Sequence, residues 1–150
     1  ISAGFQGANK GADSEPYILL TAGKKIDLSD SSTVIGVVDI LGRKEMGKFV
    51  PRILGVSGKL KLKRVTKTED LLPLLQFNAA DAIMIPKSQV AAFTAKSQLE
   101  LEVEFESPTK VGLPSFGFLP KARKGGIEGA IKKLPAKINS IMGVERWNRL

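Results

Sequence analysis

The feature that most constrains this chain is a strand-then-helix rhythm recurring three times between residues 33 and 93. Thr33-Val-Ile-Gly-Val-Val38 is an apolar, β-branched run behind a polar turn, the pattern of a strand covered on both faces. From Gly42 to Leu54 the apolar residues Met46, Phe49, Val50, Ile53 and Leu54 follow helical spacing, with Pro51 predicting a kink or an early end. Lys59-Leu-Lys-Leu-Lys-Arg-Val65 alternates as a strand with one basic face. Thr66-Lys-Thr-Glu69 then matches a capping box, ahead of a helix through Leu71, Leu72, Leu74 and Leu75. Ala80-Asp-Ala-Ile-Met-Ile85 is the third apolar strand, and Pro86 is suited to the first turn of a following helix. Strand–helix units of this length require right-handed crossovers. They predict a three-layer αβα fold with a mixed, mostly parallel sheet of about five strands.

The flanks read differently. Residues 1–16, rich in Gly, Ala, Asn, Ser and Asp, predict a loop, and Tyr17-Ile-Leu-Leu-Thr21 a short buried strand. Leu99-Glu-Leu-Glu-Val-Glu-Phe-Glu106 alternates strictly, which predicts a half-exposed strand whose glutamates discourage edge pairing with another chain. Residues 111–119 are strand-like but broken by Pro114. Residues 126–142 predict a basic amphipathic helix, with Ile127, Ala130, Ile131, Leu134, Ile138 and Ile141 on one side, split or kinked at Pro135. Trp147 is expected to pack on the body of the fold. The chain is expected to be a single α/β domain over residues 1–150. Within it, 1–25 form a hinge-like incoming strand, 26–106 the βα core, and 107–150 a return strand and C-terminal helices. No stretch is apolar over the ~18–20 residues of a membrane span. The start at Ile-Ser-Ala-Gly, without an initiator Met or a basic-then-apolar leader, is expected to be that of a processed or trimmed product, with any targeting signal removed from view.

Composition removes whole classes of chemistry. The 150 residues include neither Cys nor His, which excludes disulfides, thiolate zinc sites, thiol nucleophiles and histidine-based catalysis. The acids are poorly grouped for proton transfer, since Glu100, Glu102, Glu104 and Glu106 project from one strand with no opposing acid. They also lack a loop that would wrap a hard metal ion. No catalytic residue, metal site or cofactor is therefore expected. The net charge of +8 is carried after residue 50, since residues 1–50 hold six basic and six acidic residues. Such an excess favours anionic partners.

In an open α/β sheet, ligands gather at the carboxyl ends of the strands. That edge collects Asp39, Leu41, Gly42 and Arg43, then Thr66, Lys67 and Thr68, then Pro86, Lys87 and Ser88, as candidate ligand-binding residues. Gly42 permits close approach at a helix N-terminus, and Arg43, Lys67 and Lys87 suit a small oxyanion or polar metabolite. The plainer alternative is that Asp39 and the threonines only cap and the lysines are solvated. The Lys59, Lys61, Lys63, Arg64 stripe is a second candidate, for a nucleic-acid or polyanion backbone, without interleaved aromatics to stack bases. The basic tail around Lys132, Lys133 and Lys137 could lie on an acidic membrane or a partner, although a docked surface helix explains it as well.

Five segments taken in order resemble the second lobe and return crossover of a type II periplasmic solute-binding protein. They are Tyr17-Ile-Leu-Leu-Thr21, residues 28–38, Asp39-Ile-Leu-Gly-Arg43, residues 70–86 and Val111-Gly-Leu-Pro114. Within that class the likeness is to the phosphate/phosphonate-type substrate-binding components of ABC transporters. The resemblance implies a non-catalytic periplasmic or extracellular receptor that binds a small polar or anionic solute at the strand rim and delivers it to a membrane permease. It also implies a first lobe ahead of Ile1 that supplies half of the cleft; without that lobe, hinge strands at Tyr17–Thr21 and Val111–Leu119 are expected to be exposed and able to pair with a second copy of the chain.

Overall fold

The computed structural model describes residues 4–117 and 124–150. In chain order the strands are β1 (Gly4–Ala8), β2 (Ser14–Thr21), β3 (Val34–Val38), β4 (Lys61–Val65), β5 (Ala82–Pro86), β6 (Glu102–Gly112), β7 (Ser115–Gly117) and β8 (Arg146–Arg149). The helices are α1 (Arg43–Leu54), α2 (Leu71–Gln76), α3 (Val90–Lys96), α4 (Lys124–Lys132) and α5 (Ala136–Ile141), with 3-10 turns at Thr68–Asp70 and Lys87–Gln89. The chain forms two compact units, Pro16–Val111 and Ile1–Glu15 with Gly112–Leu150. Residues 16–25 and 107–111 thus group with the βα core, which the sequence alone bounded at 26–106.

The larger unit is built on a five-stranded sheet in the order β4-β3-β5-β2-β6. β3 runs parallel to both β4 and β5, while β2 is antiparallel to β5, so the sheet is mixed. Its two faces carry separate cores. Leu19, Ile35, Val37, Ala82 and Met84 pack with Met46, Val50 and Leu54 of α1 on one face. Ile18, Leu20, Ile83 and Ile85 pack with Leu71 and Leu75 of α2 and Phe93 of α3 on the other. Because β2, β3 and β5 are buried on both faces, they read as continuous apolar runs rather than alternating ones.

One local expectation is overturned, and of the two outcomes expected at Pro51 the early end does not occur. The capping box does not form: Lys67 precedes the 3-10 turn Thr68–Asp70 in extended conformation, and no side chain caps that turn or α2. Pro51 lies inside α1 without ending it. The carbonyl it leaves without a helical partner belongs to exposed Gly47, where water can replace the lost amide.

The smaller unit holds a three-stranded antiparallel sheet in the order β7-β1-β8. Residues 1–16 are therefore not simply a loop, since β1 is a central strand and β2 begins at Ser14. Gly7 shows why so glycine-rich a segment can be a strand. A Cβ there would stand 2.6 Å from Val144 Cγ2 and 3.0 Å from the Pro114 carbonyl, so the close approach admits no larger residue. Pro135 does divide the tail, into α4 and α5. Only part of its apolar side is docked: Ile131 is buried with Phe5, whereas Ile138 and Ile141 are exposed. The side chain of Ile127 and residues 118–119 lie outside the described residues. Trp147 packs 5.0 Å, centroid to centroid, from Phe116, and its indole N–H donates to Asn139 Oδ1. It does so from β8, a strand the sequence pattern did not reveal.

Candidate functional site: the carboxyl rim of the sheet

The strand register brings the three candidate loops to one level. Val38 is paired with Val65, and Val37 with Met84. One further step puts Asp39 beside Thr66, and by the same register beside Pro86. The three loops follow adjacent strands, with residues 39–43 between the other two. The connections also diverge at this point. α1 covers one face of the sheet on the way from β3 to β4, while α3 follows β5 on the opposite face. The gap beyond the ends of β3 and β5 is therefore a topological switch point, where open α/β sheets place ligands.

Asp39 is already engaged. Its backbone N–H donates to the Val65 carbonyl at 2.8 Å, which extends the β3–β4 pairing by one rung. Its Oδ1 accepts the Gly42 N–H at 2.6 Å and its Oδ2 accepts Arg64 Nη1 at 2.5 Å. Partial desolvation raises the Asp39 carboxyl, but the Gly42 amide and the Arg64 side chain outweigh it and hold the pKa below the ordinary carboxylate value. Asp39 is thus an ionised acid neutralised by Arg64.

Gly42 stands at the N-cap of α1 with φ 82° and ψ 161°, a backbone region open in practice only to glycine. Nothing lies within 4 Å of where its Cβ would be, so backbone conformation and not crowding selects glycine here. No side chain caps α1, and its first-turn amides carry the partial positive charge of the helix. Arg43 and Lys67 are exposed, and among the described residues no hydrogen bond or ion pair engages either side chain. Thr66 is exposed and Thr68 half-buried, and neither hydroxyl has a bonding partner among the described residues. Leu41 is exposed beside Ile40, which makes the tip of the first loop apolar. Pro86 closes β5 and precedes the 3-10 turn holding Lys87 and Ser88. Lys87 Nζ is 2.9 Å from Glu106 Oε2, so that cation is partly spoken for.

Two residues that matter to this rim, Arg64 and Glu106, were not assigned to it from the sequence, which placed Arg64 in the basic stripe with Lys59, Lys61 and Lys63. Arg64 breaks the alternation of Lys59, Lys61 and Lys63 and so must point to the other face, a signal present in the sequence. Glu106 gave no such sign. The chemistry available is electrostatic: two unpaired cations, two hydroxyls and a helix N-terminus around a neutralised carboxylate. Among the described residues no group of three or more Asp or Glu is arranged to hold a metal ion. Away from the rim, the smaller unit has a recess of about 350 Å³ lined by Ala8, Gly11, Glu145 and Arg146. Glu145 there accepts the Lys10 backbone N–H. In the tail, Lys132 pairs with Glu128 at 3.0 Å, while Lys133 and Lys137 are exposed. No helix is long and apolar enough to cross a membrane among the described residues.

No family model and no curated protein matches the sequence. Solved structures do match in fold. Tv2483 bound to L-arginine gives a TM-score of 0.57 at 14% identity, over 85% of this chain and 52% of that one. The periplasmic VFT2 domain of Bordetella pertussis BvgS gives 0.55 at 8%, over 93% and 60%. A periplasmic His/Glu/Gln/Arg/opine family-binding protein from Silicibacter pomeroyi, in complex with lysine, gives 0.54 at 13%, over 89% and 57%. The chain thus spans between 52% and 60% of the length of these structures. The solutes named in their titles are arginine and lysine, so the narrower likeness to phosphate or phosphonate receptors gains no support. The five-stranded mixed sheet, the small second sheet and these matches together identify the fold as that of a type II periplasmic binding protein.

Proposed function

We propose that this chain is the solute-binding lobe of a non-catalytic receptor for ABC import, acting outside the cytoplasmic membrane and handing its solute to a permease. The observation that carries the reading is the switch point beyond β3 and β5, flanked by the uncapped start of α1 and the unpaired cations Arg43 and Lys67. The solute class follows from charge. Asp39, the acid that would attract a cationic side chain, is neutralised by Arg64, whereas Arg43 and Lys67 have no partner among the described residues. A small polar or anionic solute with a carboxylate or other oxyanion fits, and the α-carboxylate of an amino acid meets that need. Residues Asp39, Leu41, Gly42, Arg43, Thr66, Lys67, Thr68, Pro86, Lys87 and Ser88 line the binding edge in this reading. A further lobe, as the resemblance implies, would cover the other side of the solute, since one lobe buries only part of a ligand.

A thermal-shift panel tests it, with amino acids, phosphate, phosphonates, sulfonates and nucleotides at low and moderate salt. A solute present at 100 times its Kd stabilises the folded state by about 2.7 kcal/mol. For a chain of this size, that raises Tm by about 5–11 °C. The expected result is a salt-tolerant shift with one carboxylate or oxyanion class that disappears in Arg43→Ala. A shift seen only with polyanions at low salt, and lost on replacing Lys59, Lys61 and Lys63, would replace this reading with nucleic-acid or polyanion binding.

A further inference from the structure

The two edges of the five-stranded sheet carry opposite charge. Among the described residues β4 is paired only with β3, and β6 only with β2, so each presents one unpaired backbone edge there. Lys61 and Lys63 alternate with Leu62, which packs on the α1 side, and share a face with Val65, which packs on the α2 side. Glu102 and Glu104 alternate with Phe105, which packs on the α1 side. The lysines and the glutamates therefore stand on the same face of the sheet, at opposite ends. Glu106 is held by Lys87, but no ion pair engages Lys59, Lys61, Lys63, Glu100, Glu102 or Glu104 among the described residues. The lengths agree as well: β4 has five residues, and β6 offers six from Glu102 before Pro108 interrupts its amide ladder.

We propose that this face is a self-association surface, in which β4 of one copy docks on β6 of the next and sets Lys61 and Lys63 against Glu102 and Glu104. Charge selects this pairing over the alternatives. Two β4 edges would oppose lysine to lysine, and two β6 edges glutamate to glutamate, and like charges directly across strands repel. Only the head-to-tail arrangement joins opposite signs, and a contact between unlike surfaces leaves both ends of the assembly open to further copies.

The salt dependence distinguishes this from general attraction. A chain of net charge +8 repels its own copies, so ordinary electrostatics predicts more association as salt is added. Edge docking predicts the reverse. At about 0.1 M salt the screening length is about 10 Å, enough to mute the net charge but not contacts about 5 Å apart, whereas at about 1 M it is about 3 Å.

Sedimentation velocity over rising protein concentration supplies the test. In about 0.1 M salt the weight-average mass should climb above 16.1 kDa, and in about 1 M salt it should return to that value. The double variants K61E/K63E and E102K/E104K should each stay monomeric, since their two edges now share a sign, and an equimolar mixture should associate again. Lys61→Gln with Lys63→Gln should weaken association without adding charge, and unchanged thermal melts would establish that every variant is folded. A wild-type mass that stays at 16.1 kDa, association that survives in either double variant, or a mixture that stays monomeric overturns the proposal.

Discussion

Asp81 holds the start of β3 against the start of β5 through both its backbone and its side chain. Its N–H donates to the Val34 carbonyl at 2.8 Å, and its Oδ2 accepts the Val34 N–H at 2.8 Å. Its Oδ1 accepts Lys24 Nζ. Asp81→Ala removes the side-chain half of this clamp and leaves the half-buried Val34 amide without its acceptor. A hydrogen bond to a charged group contributes about 1.5–3 kcal/mol. The Lys24 contribution is small, because that side chain is 64% exposed and surface ion pairs are worth about 0–1 kcal/mol. The expected loss is about 2 kcal/mol, or about 4–8 °C in Tm. Lys24→Ala should cost less than about 1 kcal/mol.

The pH dependence provides an internal check. The hydrogen bond from Lys24 and then that from the Val34 amide hold the Asp81 carboxyl below its ordinary value. A carboxylate depressed in the folded state stabilises fully above its unfolded pKa, about 3.9, and that contribution fades as pH falls through the folded value. Urea unfolding of wild type and Asp81→Ala should therefore give a constant gap from about pH 7 to about pH 5, narrowing below about pH 4. A gap below about 0.5 kcal/mol at neutral pH, or one that does not narrow in acid, would refute the clamp.

Other residues give equally direct expectations. Thr21 is fully buried and its Oγ1 has no hydrogen-bond partner among the described residues, so Thr21→Val should raise stability by about 1 kcal/mol or more in urea unfolding. Gly42→Ala should cost about 1–3 kcal/mol from backbone strain and should weaken solute binding, measured by calorimetry, because the N-terminus of α1 shifts. Arg64→Met frees the Asp39 carboxylate, so its pKa should rise in an NMR titration and the solute preference should move from anionic toward cationic amino acids.

The interior of the larger unit was legible in the sequence because burial on both faces writes itself as continuous apolar runs. Residues 33–38 and 80–85 could hardly be anything but central strands, and the rim loops follow from where those strands end. The smaller unit was not legible. Gly4-Phe-Gln-Gly-Ala8 has no β-branched residue, and it is a strand because residues more than 100 positions away pair with it on both sides. β8 at Arg146–Arg149 is hidden for the same reason. At the rim the sequence gathered loops that the strand register brings to one level, but it could not assign partners. That Asp39 is held by Arg64 and Lys87 by Glu106 depends on strand adjacency and side-chain reach, which spacing alone does not encode. The capping motif at Thr66 to Glu69 failed because a 3-10 turn intervenes before α2.

In the proposed function, the carboxyl rim of β3, β4 and β5 binds the solute. The most direct measurement is a backbone amide NMR titration of this chain with the solute class that raises its Tm. Saturating shifts are expected at Gly42, Arg43, Lys44 and Glu45, with companions at Thr66, Lys67, Thr68, Lys87 and Ser88, and their loss in Arg43→Ala. Saturating shifts centred on the Ala8, Gly11, Glu145 and Arg146 recess or on Lys59, Lys61 and Lys63, with the rim amides unmoved, would contradict it.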